Sequence, residues 1–410
     1  MKRALPENKG RIYLDYAATT PVDHAVARAM RPYFGTRFGN AGSVHSFGQE
    51  AIAALDAARE RIATALGADF REVIFTGSAT EANNVVLRGV VKRFRELFPE
   101  RTPELVVSSI EHESVLETCR DLERDGVAVR SVPVTREGVL DMRALKAALG
   151  PGTVLVSVLH ANNEIGTVQP VREIADLVRT ARGVSAFPLF HTDAVQAFQY
   201  LPCDPQATGA DLITISAHKL YGPKGIGVLY ARRELGAKRG TGTLTITSES
   251  ALQPIITGGG QEFGLRSGTE NVPLIVGAAE AIIRAAALRA REARRVGELR
   301  DVFWKKIRAA WPGAQLNGSI ANRLPNNLNV WFPGRRAEEL LIHLDRRGIA
   351  VSSGAACSAR SQGPSSVIQA LGFSRERARE SIRFTLGRQT TTMELDKTAR
   401  ILNEIKKTEH

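Results

Sequence analysis

From about residue 46 onward, apolar positions recur in two alternating patterns. Between Phe47 and Leu66, Ile52, Leu55, Ile62 and Leu66 fall on one helical face, whereas Glu72-Val-Ile-Phe-Thr76, Leu105-Val-Val-Ser108, Thr153-Val-Leu-Val-Ser-Val-Leu159 and Asp211-Leu-Ile-Thr-Ile215 are short apolar runs of the kind buried on both sides. Strands separated by helices predict an α/β fold with a mostly parallel sheet covered on both faces, and in such sheets ligands gather at the carboxyl ends of the strands. After Pro273 a long helical pattern runs to about Trp311. It is followed by Asn327-Leu-Asn-Val-Trp-Phe332 as strand, Ala337 to Arg347 as helix and Ser381-Ile-Arg-Phe-Thr385 as strand, a second and smaller α/β unit. The stretch Thr241-Gly-Thr-Leu-Thr-Ile-Thr-Ser-Glu-Ser250 reads as an exposed loop or hairpin.

A chain of 410 residues exceeds what one core usually holds, so two domains are expected: 26–280 as the large domain, and 1–25 with 281–410 as the small one. Basic residues at the start have no apolar run behind them, which supports neither a secretory signal nor a membrane span and places the protein in the cytoplasm. The formal charge of +12 is spread among acidic residues, as in Arg289-Ala-Arg-Glu-Ala-Arg-Arg-Val-Gly-Glu298. This describes a solvated surface attractive to acidic partners more than a nucleic-acid site. Three cysteines, Cys119, Cys203 and Cys357, form no close pair and no Cys/His cluster, so neither disulfides nor a metal site is expected.

The chemistry begins at Asp211-Leu-Ile-Thr-Ile-Ser-Ala-His-Lys219-Leu-Tyr-Gly-Pro-Lys-Gly-Ile-Gly227, where an apolar strand delivers one lysine into a glycine-rich turn. Lys219 is a candidate Schiff-base residue, and Asp193, 26 residues upstream, is a candidate partner for a ring nitrogen. Together they describe how pyridoxal phosphate is held. Phe75-Thr-Gly-Ser-Ala-Thr-Glu-Ala-Asn-Asn84 offers a strand end, a turn of small residues and a helix start near Thr80, a place for a phosphate or simply a capped helix. Asp193 equally suits a helix N-cap, and Gln196 could bond the ring oxygen. His112, in Glu111-His-Glu-Ser114, is suited to stacking on a ring and moving protons, or to a structural role. Asn162-Asn-Glu-Ile-Gly-Thr-Val-Gln-Pro170 is a polar turn that could bond cofactor or substrate, or serve the turn alone. Cys357 lies in the small-residue loop Val351-Ser-Ser-Gly-Ala-Ala-Cys-Ser-Ala-Arg-Ser-Gln-Gly-Pro364, where an exposed thiol near Arg360 can act as a nucleophile, although small residues also suit an ordinary turn. Cys119 and Cys203 read as bystanders. Arg383, inside a strand, needs a carboxylate partner, either a substrate's or a structural one.

Taken in order, these motifs resemble the cysteine desulfurases of the NifS/IscS type, within the class V aminotransferase-like enzymes of PLP-dependent transferase fold type I. The resemblance runs from Tyr13-Leu-Asp-Tyr-Ala-Ala-Thr-Thr-Pro21 to Ser381-Ile-Arg-Phe-Thr-Leu-Gly-Arg-Gln-Thr-Thr391 and includes His191-Thr-Asp-Ala-Val-Gln196, Ser216-Ala-His-Lys219, Gly258-Gly-Gly-Gln-Glu-Phe-Gly-Leu-Arg-Ser-Gly-Thr269 and Ser352-Ser-Gly-Ala-Ala-Cys357. It implies Lys219 as the Schiff-base lysine, and Ala79, Thr80, Ser216 and His218 at the phosphate. Asp193 is implied on the ring nitrogen, Gln196 and Asn163 on the ring-oxygen side, and His112 against the ring. Arg383 is implied on the substrate carboxylate, with Asn163 beside it, and Cys357 as the sulfur acceptor. Thr269 is implied to reach the phosphate of a neighbouring subunit, hence a homodimer. The implied activity is conversion of L-cysteine to L-alanine with transfer of its sulfur to an acceptor or scaffold protein, for iron-sulfur clusters, thiolated nucleic acid or other uses. Gly77-Ser-Ala-Thr80 and Asn40-Ala-Gly-Ser-Val-His45 depart from the usual family forms, and the stretch from about Arg232 to Thr257 is longer than in short members. Selenocysteine lyase, class V aminotransferase and a non-catalytic scaffold are the rival readings. Cys357 argues against an aminotransferase, and a scaffold would be colourless.

Overall fold

The computed structural model describes residues 10–183, 185–235, 246–247, 251–353 and 363–407. Its main sheet has seven strands in the spatial order Val73–Thr76, Gly227–Ala231, Leu212–Ser216, Leu189–Asp193, Thr153–Ser157, Glu104–Ser108 and Ala128–Val132. Gly227–Ala231 runs antiparallel to both of its neighbours; the other ladders are parallel. The sequence pattern explains the sheet's two-sided burial. Ile74, Leu105, Val107, Leu212 and Leu229 enter one apolar core, while Phe75, Val106, Ile213, Ile215 and Val228 enter the other, as a period of two requires.

Three strands of this sheet, Ala128–Val132, Leu189–Asp193 and Gly227–Ala231, were not among those expected from the sequence. Ala128–Val132 is an edge strand, and only Val132 in it is buried, so it lacks the apolar run that marked the others. Gly227–Ala231 begins on a glycine for a reason of space, since a Cβ at Gly227 would lie 2.5 Å from the Ser78 carbonyl carbon. The turn after Thr76 and this strand can pass so closely only with glycine there.

A second sheet of three antiparallel strands, Gln315–Leu316, Asn327–Trp331 and Ser381–Thr385, carries the later part of the chain. The N-terminal Ile12–Tyr13 pairs in parallel with Ile349–Ala350, and Asp15 bridges to Thr385, so the chain's beginning lies against its end. Helix Val272–Ala310, 39 residues and hence about 58 Å long, packs on helix Ser46–Leu66 and on helix Thr392–Lys407. Glu234–Leu235 pairs antiparallel with Ile246–Thr247, while most of the expected loop at 241–250 lies outside the described residues. Among the described residues no helix is long and apolar enough to cross a membrane, and no group of His, Cys, Asp or Glu could hold a metal ion.

Candidate active site

The candidate residues sit just beyond the carboxyl ends of neighbouring strands. Thr76 leads to Ala79 and Thr80, Ser108 to His112, and Ser157 to Asn163, while Asp193 ends its own strand and Ser216 leads through a short 3-10 turn to Lys219. Their side chains or backbone line one cavity of about 370 Å³, together with Gln196, His218 and Arg383. That volume falls in the range of small-ligand sites.

Part of the wall is the N-terminal segment at Ala17 and Ala18, which the residue-by-residue reading had not singled out. Lys219 Nζ donates to the carbonyl oxygens of Ala17 (2.5 Å) and Ala18 (2.7 Å), and Gln196 Nε2 also donates to Ala17 (3.0 Å). His218 Nδ1 lies 3.1 Å from Thr19 Oγ1, and Thr20 Oγ1 donates to the His218 carbonyl at 2.8 Å. Burial, and then the charges of Lys219 and Lys224, push His218 down to about 4. Lys224, also on the cavity wall, adds positive charge near the same end.

At the turn between Thr76 and Ala79, Ser78 caps helix Ala79–Leu97 by accepting from Glu81 N at 3.1 Å. The amides of Ala79 and Thr80 belong to the first turn of a 19-residue helix and have no acceptor within it. Glu81 braces the turn from the other side, accepting from Gly77 N at 3.0 Å and from Arg266 Nε at 2.8 Å. Asp193 has both oxygens engaged, Oδ1 with Val195 N (2.9 Å) and Oδ2 with Asn83 Nδ2 (3.0 Å). No helix follows Asp193: residues 195–200 form turns, so its bond to Val195 N closes a turn and the helix-cap reading is not met, while its place on the cavity wall stands. Asn83, fully buried in the middle of a helix, is a site residue that sequence reasoning passed over; a polar residue sealed from water was the signal that only the structure supplies.

His112 is the N-cap of helix Glu113–Arg124, its Nδ1 accepting from Ser114 N at 3.1 Å, with Ser114 Oγ at 2.8 Å. Behind it Glu111 is buried, with Oε1 accepting from Ser108 Oγ (2.6 Å) and Leu159 N (2.8 Å), while Oε2 has no partner among the described residues. Burial pushes this carboxyl up to about 8; the bonds from Ser108 and Leu159 oppose the shift and the charge of Asp193 adds to it. Between its unfolded value near 4.5 and about 8, the folded state holds a proton that the unfolded chain has lost, so this group's contribution to stability falls as pH rises across that window. Glu111→Gln mimics the protonated acid and cannot ionise. Its unfolding free energy is expected to gain on that of the wild type from pH 5 to pH 8, by a few kcal/mol at ~1.4 kcal/mol per pH unit, read from denaturant titrations at each pH. Parallel curves for the two proteins would show the carboxylate ionised throughout.

Arg383 is 2% exposed. Its Nη2 donates to Asp15 Oδ1 (2.7 Å) and its Nη1 to the Asn163 carbonyl (2.9 Å), while Nε has no partner among the described residues. A structural ion pair is thus present, and the same guanidinium lines the cavity. The Asn-rich turn divides its work: Asn162 spends its side chain on Ile110 O and on the amides of Glu164 and Ile165, whereas Asn163 lines the cavity. Thr269 lies in a second cavity of about 190 Å³, which shares Gly225 and Ile226 with the first. The segment before it is anchored by buried Glu262, which accepts from Arg59 (2.7 and 2.8 Å) and from Phe75 N (2.8 Å). Cys357 and Arg360 lie outside the described residues. Cys119 and Cys203 are both buried, and burial raises both thiols, Cys119 to about 12, as expected of bystanders.

The donor set fits pyridoxal phosphate: helix amides and His218 for an anion, a lysine amine for an aldehyde, and a carboxylate across the cavity for a ring nitrogen. The description "Aminotransferase class-V" matches residues 12–398. A cysteine desulfurase IscS from Dictyoglomus turgidum is 43% identical over 397 residues, covering 97% of this chain and 95% of that protein. A solved NifS-like protein superposes with a TM-score of 0.86 at 35% identity, covering 97% of this chain and all of its own. SspA in complex with cysteine superposes with a TM-score of 0.76 at 35% identity, covering 92% of this chain and 98% of its own. With Lys219, Asp193 and the helix-capped turn gathered on one cavity, and with likeness along nearly the whole length, the chain belongs to the class V aminotransferase family and, within it, to the cysteine desulfurases of the NifS/IscS type.

Proposed function

We propose that the cavity around Lys219 binds pyridoxal phosphate and L-cysteine, and that Cys357 takes the substrate's sulfur as a persulfide, leaving L-alanine. The observation that carries this reading is the convergence of Lys219, Asp193, the Ala79–Thr80 amides and Arg383 on one cavity. When bound, pyridoxal phosphate supplies an aldehyde for an amine and a ring that accepts the electrons of a cleaved Cα bond. Ala79, Thr80, Ser216 and His218 hold the phosphate; Asp193 keeps a proton at the ring nitrogen. Gln196 and Asn163 bond on the ring-oxygen side, and His112 lies against the ring. Arg383 receives the substrate carboxylate while Asp15 fixes the guanidinium from behind. Lys219 takes the Cα proton and returns it.

The Cys357 thiolate then attacks the substrate sulfur. The Sγ–S bond forms, the Cβ–S bond breaks, and its electron pair stays on Cβ, which takes up a proton. The sum is L-cysteine plus a thiol giving L-alanine plus a persulfide. Two features support Cys357 as the acceptor: the other thiols are buried, and residues on both sides of its segment are tied beside the cavity. Ser352 and Arg383 exchange backbone hydrogen bonds (2.7 and 3.2 Å), and Ser365 Oγ donates to Glu164 Oε2 at 2.5 Å.

The persulfide passes to an acceptor or scaffold protein, iron-sulfur cluster assembly being one use. The protein works in the cytoplasm as a homodimer in which Thr269 reaches the neighbouring subunit's phosphate site. Residues 26–280 form the cofactor-binding domain, and 1–25 with 281–410 the domain that carries the cysteine loop. The test is direct: purified protein loaded with pyridoxal phosphate and given L-cysteine is expected to form alanine and, in one turnover without reductant, one equivalent of sulfur that maps to the Cys357 peptide. Alanine without sulfur on that peptide would overturn the acceptor, and no alanine would overturn the activity.

A further inference from the structure

A chain of side chains behind the cavity fixes what His112 can do. Asn83 is fully buried, and its Nδ2 lies 3.0 Å from Asp193 Oδ2 and 2.8 Å from Ser114 Oγ. A carboxylate only accepts hydrogen bonds, so the Asn83 atom facing it is the amide nitrogen, since turning the amide over would set its oxygen against Asp193. The two hydrogens of that nitrogen serve Asp193 and Ser114. Ser114 Oγ, having accepted from Asn83, has its own hydrogen left for His112 Nδ1, 2.8 Å away. The same Nδ1 also receives the Ser114 amide at 3.1 Å. Two donors therefore converge on one ring nitrogen, and a nitrogen so placed carries no proton.

From this geometry, and resting on the desulfurase reading, we infer that His112 is held as a neutral ring protonated at Nε2. It then acts toward the cavity as a hydrogen-bond donor to an anionic atom of the bound ligand and not as a carrier of protons, with Asn83 and Ser114 as its positioning residues. A proton carrier would have to exchange the hydrogen at Nε2 by passing through the doubly protonated ring. That form needs an acceptor at Nδ1, where the Ser114 amide can only donate and the Ser114 hydroxyl is oriented by Asn83. The charge of Asp193 is transmitted to His112 through the same two side chains, since Asp193 orients the Asn83 amide.

The experiment uses the full-length protein labelled with 15N-histidine, with and without pyridoxal phosphate, and long-range 1H–15N spectra in which His112 is identified by the signals missing from His112→Gln. The expected wild-type result is an unprotonated, hydrogen-bonded Nδ1 and a protonated Nε2. Ser114→Ala and Asn83→Asp, the latter diverting the Ser114 hydrogen to a carboxylate, are expected to shift the Nδ1 signal, and Ser114→Thr to bring it back toward the wild type. A protonated Nδ1 in the wild type, or an Nδ1 signal unmoved in both Ser114→Ala and Asn83→Asp, would overturn the inference. Kinetics give a second reading: His112→Gln retains a donor but cannot carry a proton, so kcat for alanine formation is expected to fall about tenfold or less, against ~10²–10⁴-fold for loss of a general acid or base. A loss in that larger range with an unchanged KM overturns the donor role. If wild-type protein forms no alanine from cysteine, the desulfurase reading fails while the spectra, recorded without substrate, still decide the state of His112.

Discussion

Cys357→Ala is expected to lower alanine formation from L-cysteine by ~10³-fold or more while leaving the cofactor's absorbance and its response to added cysteine intact. The expectation follows from chain geometry as well as chemistry. Ser352 is held to Arg383 by paired backbone hydrogen bonds, and Arg383 lines the cavity. Cys357 is five residues further on, and five extended residues span at most about 17 Å, so on the proposed reading the thiol is tethered within reach of a substrate whose carboxylate Arg383 would receive. On the other side Ser365, cap of helix Ser366–Ala370, is fixed to Glu164, the neighbour of Asn163. A tether of that length raises the effective concentration of the proposed thiol at the cavity. The measurement is alanine release in the presence of a thiol reductant, beside a spectral titration with cysteine. Wild-type turnover in Cys357→Ala would remove the thiol from the reaction. Loss of both turnover and the spectral response would show instead that the loop serves substrate binding.

Much of this arrangement was legible in the sequence, and particular residues show why the remainder was not. The buried strands announced themselves because a strand covered on both faces must be apolar throughout, as Leu105-Val-Val107 and Leu212-Ile-Thr-Ile215 are. The spacing of 26 between Asp193 and Lys219 is one crossover: the strand ending at Asp193 pairs in parallel with Leu212–Ser216, with Asp193 opposite Thr214, so a turn beyond that strand returns Lys219 to the same edge. Ala128–Val132 was missed because an exposed edge strand has no such composition. The wall formed by Ala17 and Ala18 was invisible to residue-by-residue reading, since what meets Lys219 there is backbone carbonyl, which any residue supplies. Asn83 was hidden for another reason. Its partners Ser114 and Asp193 stand 31 and 110 residues away, and only packing brings them together. Arg383 was open between a substrate and a structural partner; the structure gives it Asp15 and leaves it on the cavity wall, so the alternatives were not exclusive.

Lys219→Ala is expected to cost ~10⁴-fold or more in alanine formation, because on the proposed reading two separate functions end together: the covalent hold on the cofactor and the transfer of the Cα proton. The surrounding bonds give the variant a distinctive signature. The amides of Ala79 and Thr80, the carboxylate of Asp193 and the ring of His218, proposed to hold the cofactor, do not depend on the lysine, so pyridoxal phosphate is expected to bind still, more weakly and reversibly. Borohydride should then fail to fix the cofactor to the variant, whereas in the wild type it should fix it to the peptide containing Lys219. Loss of the amine also leaves the Ala17 and Ala18 carbonyls without the Nζ donor, although Ala17 keeps the Gln196 amide. Ala18 is half-buried and can take water in its place, so the fold should survive at a cost of about 1 kcal/mol, within the range for one lost hydrogen bond. An added primary amine small enough to enter the cavity should restore part of the proton transfer, but not the stable attachment, which separates the two functions experimentally. A variant that kept turnover within tenfold of the wild type, or a wild type whose reduced cofactor mapped to another lysine such as Lys224, would move the chemistry away from Lys219 and with it the meaning of the whole cavity.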